Sequence, residues 1–258
     1  MPLCGKDEID KNIGKLNFIS GIISTFNSTP YHLTIVPLLM GEDPLEKVKY
    51  VVESDLAGSL ILVNTTLQDR CVAYLNDKNF PFVTYGQTEM GINHPYVDLD
   101  NYEIGYKAAN YLFKNGCKNI RFFITDMLRT SCCHRFYGAR RAAMEYGIEF
   151  SEKDTIESTF IDKNTRKMVS DLMENENPDG IFFSCDLGAL TGITAIKDVN
   201  PDLLDTIKII TCEASYLHVL FSHKIAAIRT ALDTVGKKIG EFVMSAMKVL
   251  KLRICSIL

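Results

Sequence analysis

The chain of 258 residues is 47% hydrophobic and 23% charged, with a formal net charge of −4. This acidic balance disfavours a nucleic-acid-binding surface, which is usually basic, and no apolar run approaches the roughly 20 residues needed to span a bilayer. The amino terminus has no apolar signal-peptide core, so we expect a cytoplasmic protein with reduced thiols and no membrane partner.

Short apolar strands alternate with amphipathic helices through the first half of the chain. The predicted elements are a helix over 7–26, a strand over 32–38, a helix over 44–55, a strand over 58–64, a helix over 67–76 and a strand over 82–86. Because the strands are continuously apolar, they are typical of a parallel sheet covered on both faces. Asp100 or Asn101 can cap the next helix, and Gly116 ends it.

The same alternation continues to the carboxyl terminus. The predicted elements are a strand over 119–125, a helix from 135, a strand over 156–161, a helix over 164–175, a strand over 180–185, a helix over 187–198, a strand over 207–213, an apolar segment over 225–229 and a long helix from 233 to about 251. This pattern predicts an α/β protein with two successive wound halves and parallel sheets.

Ligands of open α/β sheets bind outside the carboxyl ends of the strands, which directs attention to polar residues at those ends. Asp186 follows a predicted strand, where a carboxylate can cap the next helix or accept hydrogen bonds from a ligand. Glu213 ends the following strand and is either solvated or a second carboxylate at the same site. Two carboxylates there favour a polyol or an amine as ligand.

The stretch SCCHRF, residues 131–136, allows two interpretations. Cys132, Cys133 and His134 could bind a metal, or Arg135 could contact a ligand through its rigid fork of donors. Zinc ligands are usually separated by about two to four residues, and three adjacent residues do not converge on one ion, so no metal is expected. Cys132 and Cys133 are predicted in a loop, with Arg135 at the start of a helix. A cation is disfavoured there by the helix dipole, which indicates another partner for Arg135.

Sequence signatures of enzymes are absent. The chain contains none of the patterns GxGxxG, GxxxxGK[ST], GxSxG or HExxH, and its histidines are scattered. We therefore expect a protein that is not an enzyme and that carries no cofactor.

Five segments resemble, in order and spacing, the effector-binding region of the lactose-repressor/galactose-repressor family. They are HPYVDLDNYEIGYKAANYL, NGCKNIRFF, HRFYGARRAAMEYGI, DGIFFSCDLGAL and KIITCEAS, and the similarity extends over roughly residues 33–250. The resemblance implies a fold like a type I periplasmic sugar-binding protein, with two Rossmann-like lobes and a ligand cleft between them. It also implies one lobe from residues 1–126 plus 226–258, and a second lobe from 127–225.

The resemblance assigns four effector-binding residues. Arg135 falls on the family's ligand-contacting arginine, Asp186 on the acid of its NDxxA motif, Glu213 where an aspartate is common, and Asp100 on an occasional contact. Three positions depart from the family's motifs. Ala139 follows the motif glycine where an aromatic residue is usual, cysteine replaces asparagine before Asp186, and TCEA lacks the second acid. The resemblance therefore predicts the class of the effector, a sugar or sugar-like molecule, and does not identify one compound.

The family's regulators are homodimers that read DNA through an amino-terminal helix-turn-helix headpiece. No such headpiece is found in this sequence, so we expect a sensor that would act on DNA only through a segment absent from this chain. The resulting prediction is the ligand-sensing domain of a transcriptional regulator. A solute-binding protein of a sugar transport system, or an α/β enzyme using Asp186 and Glu213, are the alternatives.

Overall fold

The computed structural model describes the backbone of residues 2–3, 13–38, 41–160, 163–213 and 225–255, and the side chains of 16–38, 41–160, 163–212 and 225–247. The chain forms two compact units, Met1–Leu99 with Ala231–Leu258 and Asp100–Thr230. All strand pairs in the described part of the chain are parallel, which confirms the predicted α/β class with two wound units.

The described elements follow the predicted alternation closely. They are β1 (Pro2–Leu3), α1 (Ile13–Ser24), β2 (Val36–Pro37), α2 (Pro44–Glu53), β3 (Leu60–Val63), α3 (Arg70–Asp77), β4 (Phe82–Tyr85), β5 (Tyr96–Val97), α4 (Asn101–Lys114), β6 (Ile120–Ile124), α5 (Thr130–Glu145), β7 (Thr155–Glu157), α6 (Lys163–Asn175), β8 (Gly180–Phe183), α7 (Asp186–Val199), α8 (Leu203–Thr206), β9 (Lys208–Glu213), β10 (Ile225–Arg229) and α9 (Leu232–Cys255).

Two predicted elements of the first unit are shorter in the structure. The strand expected over 32–38 is reduced to β2, because β1, its only recorded ladder partner among the described residues, pairs with just Val36 and Pro37. Of the helix expected over 7–26, residues 7–12 lie outside the described residues, and α1 accounts for the rest.

The core of the first unit lies on both faces of the sheet β3-β4-β5. Leu60 and Leu62 of β3 pack with α2 and α3, while Ile61 between them packs with α1 and α9. Successive strand residues point to opposite faces, so a continuously apolar strand buries side chains on both. This alternation explains why the strand carries no polar residue.

The second unit is built on a five-stranded sheet in the order β10-β9-β8-β6-β7. Phe122 and Phe123 of β6 lie beside Phe182 and Phe183 of β8, with ring centroids 4.6 Å and 4.9 Å apart in the two pairs. All four rings are fully buried. The central strands are therefore fixed by aromatic packing on both faces, and they hold the polar residues that follow β8 in place.

The division between the units falls at Leu99–Asp100 and Thr230–Ala231, whereas the resemblance places it near Asp126 and Ala226. The difference arises because α4 packs along α5 and against β8 and β9, and β6 joins the sheet of the second unit. Residues 100–126 therefore contribute to the second unit.

Candidate functional site

The carboxyl ends of β6, β8 and β9 lie at one edge of the second unit's sheet, because these strands are parallel neighbours. Ser184, Cys185 and Asp186 follow β8 directly, and Glu213 is the last residue of β9. This is the edge at which open α/β sheets bind ligands, so it is where the predicted contact residues should meet.

Arg135 is oriented toward this edge by two hydrogen bonds. Its Nε donates to Oδ1 of Asn101 at 2.9 Å, and its Nη1 donates to the carbonyl oxygen of Ser184 at 3.2 Å. Within the described chain, its Nη2 has no recorded partner, and the side chain is half-buried. The guanidinium is thus fixed in direction by α4 and the β8 segment while it keeps donors for a further acceptor.

The helix that carries Arg135 begins earlier than predicted. α5 begins at Thr130, with Arg129 at its N-cap, so Arg135 lies in the second turn and Cys132 and Cys133 lie inside the helix rather than in a loop. The prediction that Arg135 starts this helix is wrong. The helix-dipole argument therefore does not apply to it, because the dipole acts mainly within the first turn. Its partner, Asn101, provides the physical reason for its position.

Two glycines allow α4 and α5 to cross closely enough for this contact. A Cβ atom built on Gly105 would lie 1.9 Å from the carbonyl oxygen of Arg135, and one on Gly138 would lie 1.9 Å from that of Tyr102. Asn101 and Gly105 are four residues apart, and Arg135 and Gly138 three apart, so each pair shares one helix face. This pairing of a polar residue with a glycine is the sequence signal that could have identified Asn101, which is buried.

Asp186 is the first residue of α7 and is only 5% exposed. Its Oδ1 accepts a hydrogen bond from the backbone N–H of Leu187 at 2.9 Å. The N-cap position, predicted for Asp186, is occupied by Cys185, whose Sγ accepts from the N–H of Gly188 at 3.3 Å. A buried carboxylate at a helix N-terminus is favoured by the dipole, and it offers acceptors to a ligand's hydroxyl or amine donors.

Two thiols border the same edge. Burial raises the pKa of Cys185 to about 12, with a smaller opposing effect from the hydrogen bond of Gly188 and from the charge of Arg135. Burial also raises the pKa of Cys212, and Arg135 and Asp186 act on it in opposite directions. Arg135 donates to the carbonyl oxygen of Ser184, two residues before Asp186, so both charged residues belong to this edge. The thiols themselves are neutral at physiological pH.

The raised pKa of Cys185 predicts slow alkylation of the folded protein. A pKa of about 12 instead of 9.0 lowers the thiolate fraction near pH 8 by roughly a thousandfold, and only the thiolate reacts. Iodoacetamide labelling followed by peptide mass spectrometry should therefore modify Cys185 about a thousandfold faster in urea than in buffer. Its rate in buffer should rise about tenfold per pH unit. Equal rates in urea and buffer would contradict a thiol held neutral in the folded protein.

The other predicted residues have different positions. Asp100 is exposed and caps α4, since its Oδ1 accepts from the N–H of Glu103 at 2.8 Å. That capping role confirms the predicted start of α4, and its effector contact stays a prediction. Glu213 ends β9 as expected, but its side chain lies outside the described residues.

Cys132 and Cys133 are buried in α5, and Cys132 Sγ lies 3.3 Å from Thr125 Oγ1. No group of three metal-binding side chains occurs among the described residues.

Comparisons with known proteins show which of them resemble this chain in sequence or in fold. No family model matches the chain. The HTH-type transcriptional repressor PurR of Aliivibrio fischeri is 24% identical over 217 residues, which cover 80% of this chain and 64% of the relative. The chain thus spans less than two thirds of the length of this relative. A LacI transcriptional regulator from Bacillus cereus subsp. cytotoxis has a TM-score of 0.83 at 21% identity, over 96% of this chain and 90% of that one.

A third similar protein is the transcriptional regulator CelR, solved as a complex with cellobiose. Its TM-score is 0.83 at 14% identity, over 96% of this chain and 76% of that one. The fold shared with these structures defines a class of two-unit α/β proteins with parallel sheets. The predicted resemblance to the effector-binding region of the lactose-repressor/galactose-repressor family is confirmed. The named relatives are regulators rather than enzymes.

No helix in the described part of the chain is long and apolar enough to cross a membrane.

Proposed function

We propose that this chain is the effector-binding region of a transcriptional regulator and that it binds a small polar molecule at the carboxyl edge of the second unit's sheet. The observation that carries the proposal is the fixed guanidinium of Arg135, held by Asn101 and the carbonyl of Ser184 with Nη2 left for a ligand. The buried carboxylate of Asp186 at the same edge adds acceptors. Such preorganisation lowers the entropy cost of binding.

The chemistry of these two groups suits a sugar or a sugar-like molecule. Each hydroxyl of a polyol both donates and accepts hydrogen bonds, so neighbouring hydroxyls match a guanidinium on one side and a carboxylate on the other. The cellobiose bound to the similar regulator CelR supports this class as the first to test. The neutral thiols of Cys185 and Cys212 add no further strong polar partner, so Arg135 and Asp186 provide the charged contacts.

Regulation would follow from differential affinity. A ligand that binds one arrangement of the protein more tightly shifts the population toward it, and in a homodimer this change would reach the DNA-binding segments of the full-length regulator. The homodimer and the DNA contact are expectations from the family resemblance. Neither expectation depends on which ligand binds.

A thermal-shift screen tests the proposal. Cellobiose, monosaccharides, phosphosugars, polyols and nucleosides are each added to the wild-type chain and to Asp186→Asn. Ligand at about 100 times its dissociation constant stabilises a single-site protein by about 2.7 kcal/mol, which is a clear rise in Tm. We expect a stabilising ligand whose effect is lost or strongly reduced in Asp186→Asn. A ligand that stabilises both proteins equally would place its site elsewhere.

A further inference from the structure

A groove lies on the second unit, on the face of α5 opposite to Arg135. Its volume is about 630 Å³, and it is lined by α5 and by residues 148–153, which follow this helix. At 3.6 residues per turn, the side chains of Tyr137, Arg140 and Met144 leave the helix roughly half a turn away from that of Arg135. The groove is therefore separate from the candidate effector site at the carboxyl edge of the sheet.

The two walls of the groove are held together by the turn at the end of α5. The chain reverses at Gly147, whose φ of +67° suits a glycine, and the backbone N–H of Ile148 donates to the carbonyl oxygen of Ala143 at 2.9 Å. The ring of Phe150 then packs on the ring of Phe136, with centroids 5.8 Å apart. The segment therefore runs back along α5, and the two buried rings form an apolar floor.

Two large side chains beside this floor are exposed. Met144 is 68% exposed and Tyr137 is 50% exposed, and they lie two helical turns apart on α5, so both border the groove. Single exposed apolar residues are common on protein surfaces, but here two of them flank one cavity with an apolar floor. A ligand with an apolar side chain would remove this surface from water.

The rim of the groove carries unpaired charges of both signs. Arg140 lies between the two exposed apolar residues on α5, and Glu149 lies on the opposite wall. Neither side chain forms a hydrogen bond or an ion pair with another described residue, whereas the neighbouring Arg141 donates to Glu145 at 2.8 Å. A guanidinium matches a carboxylate through two parallel hydrogen bonds, and a carboxylate accepts hydrogen bonds from an ammonium group.

We propose that this groove binds a small zwitterion with an apolar side chain, either an α-amino acid or a short peptide with free ends. Arg140 would bind the carboxylate, Glu149 the ammonium group, and the apolar floor the side chain. Glu152 and Lys153, the remaining charged residues of the lining, have opposite signs, so the groove has no net charge to favour a purely anionic or cationic ligand. The inference does not depend on the sugar site proposed above.

Three probes separate the charges of the ligand from its apolar body. Leucyl-leucine has both, glycyl-glycine has only the charges, and acetyl-leucyl-leucine amide has only the apolar body. Each is titrated while NMR follows the methyl signals of Met144 and Ile148, with Met90 of the first unit as reference. We expect leucyl-leucine to shift the groove methyls with a dissociation constant at least about tenfold below those of the other two. Equal affinity for leucyl-leucine and its acetylated amide, or unchanged signals at Met144 and Ile148, would overturn the proposal.

Substitutions at exposed positions assign the two charged contacts. Arg140→Gln should bind leucyl-leucine and leucyl-leucine amide equally, because the carboxylate has lost its partner. Glu149→Gln should likewise bind leucyl-leucine and acetyl-leucine-leucine equally, because the ammonium group has lost its partner. Glu174→Gln, which removes an exposed carboxylate of α6 outside the groove, should keep both preferences.

Titration with L-leucine identifies the source of the ligand. L-leucine that binds as tightly as leucyl-leucine would assign the groove to a free amino acid, and tighter binding of the dipeptide would assign it to a short peptide. If Arg140→Gln and Glu149→Gln both keep the preferences of the wild type, the assigned contacts are refuted and the proposal with them.

Discussion

We expect Gly138→Ala to lower the free energy of unfolding by about 2–3 kcal/mol and Tm by roughly 5–10 °C. The added methyl group would lie 1.9 Å from the carbonyl oxygen of Tyr102, so the backbones of α4 and α5 must separate. Alanine gains about 1 kcal/mol over glycine in a helix, but this gain does not offset a clash with backbone. Gly105→Ala should act in the same way, because its methyl group meets the carbonyl oxygen of Arg135.

Gly58→Ala is the matched control, because its added Cβ would lie 3.6 Å from Met247 Cε, an ordinary contact. Its free energy of unfolding should stay within about 0.5 kcal/mol of wild type, as for substitutions that meet no special feature. The double variant Gly105→Ala with Gly138→Ala should cost less than the sum of the single changes, since both separate the same helix pair. Thermal unfolding of the four variants and of the wild type measures these differences. Equal Tm values for Gly138→Ala and Gly58→Ala would refute the close crossing.

The second large effect is on binding. Arg135→Ala should weaken the affinity for a sugar found in the screen by at least about thirtyfold, since removing a partly buried charged donor costs roughly 2 kcal/mol or more. Arg135→Lys should recover only part of the loss, because an ammonium does not reproduce the fork that reaches Asn101, Ser184 and a ligand together. Isothermal titration calorimetry measures each dissociation constant directly.

Controls for this prediction come from the same two helices. Arg140→Ala removes an exposed arginine from α5 and should leave the affinity unchanged. Asn101→Ala removes the acceptor that orients Arg135 while the guanidinium stays in place, so its affinity loss should be smaller than that of Arg135→Ala. Equal affinity of wild type and Arg135→Ala for the ligand would overturn the site assignment, whatever the effect of the other variants.

Element types were predictable because each depends on local pattern. The buried strands β3, β4, β6 and β8 lie within the predicted ranges, since runs of apolar residues bounded by turns are strand signals. A cap of α4 at Asp100 or Asn101 was predicted, and the structure assigns it to Asp100. The first residues of helices were predicted less accurately. α5 begins five residues before Arg135 because its first turn is buried at Thr130, Cys132 and Cys133, and burial of this kind depends on packing rather than on a capping residue.

The candidate site was predictable in part. Arg135 and Asp186 follow from strand-end position and the family resemblance, and the structure brings both to one edge of the sheet. Asn101 and Ser184 were not predicted as parts of the site, because their contacts with Arg135 join residues 34 and 49 positions away in sequence. A contact at such separation leaves no periodic trace in a single sequence.

The sequence by itself determined the α/β class, the order of the elements and the family resemblance, because these depend on apolar periodicity, capping residues and local motifs. Only the tertiary structure decided that α4 belongs with the second unit and that two glycines bring Asn101 to Arg135. The physical reason is that each of these features arises from packing between elements distant in sequence. Local propensity specifies which elements form, whereas close packing of their surfaces specifies which residues meet.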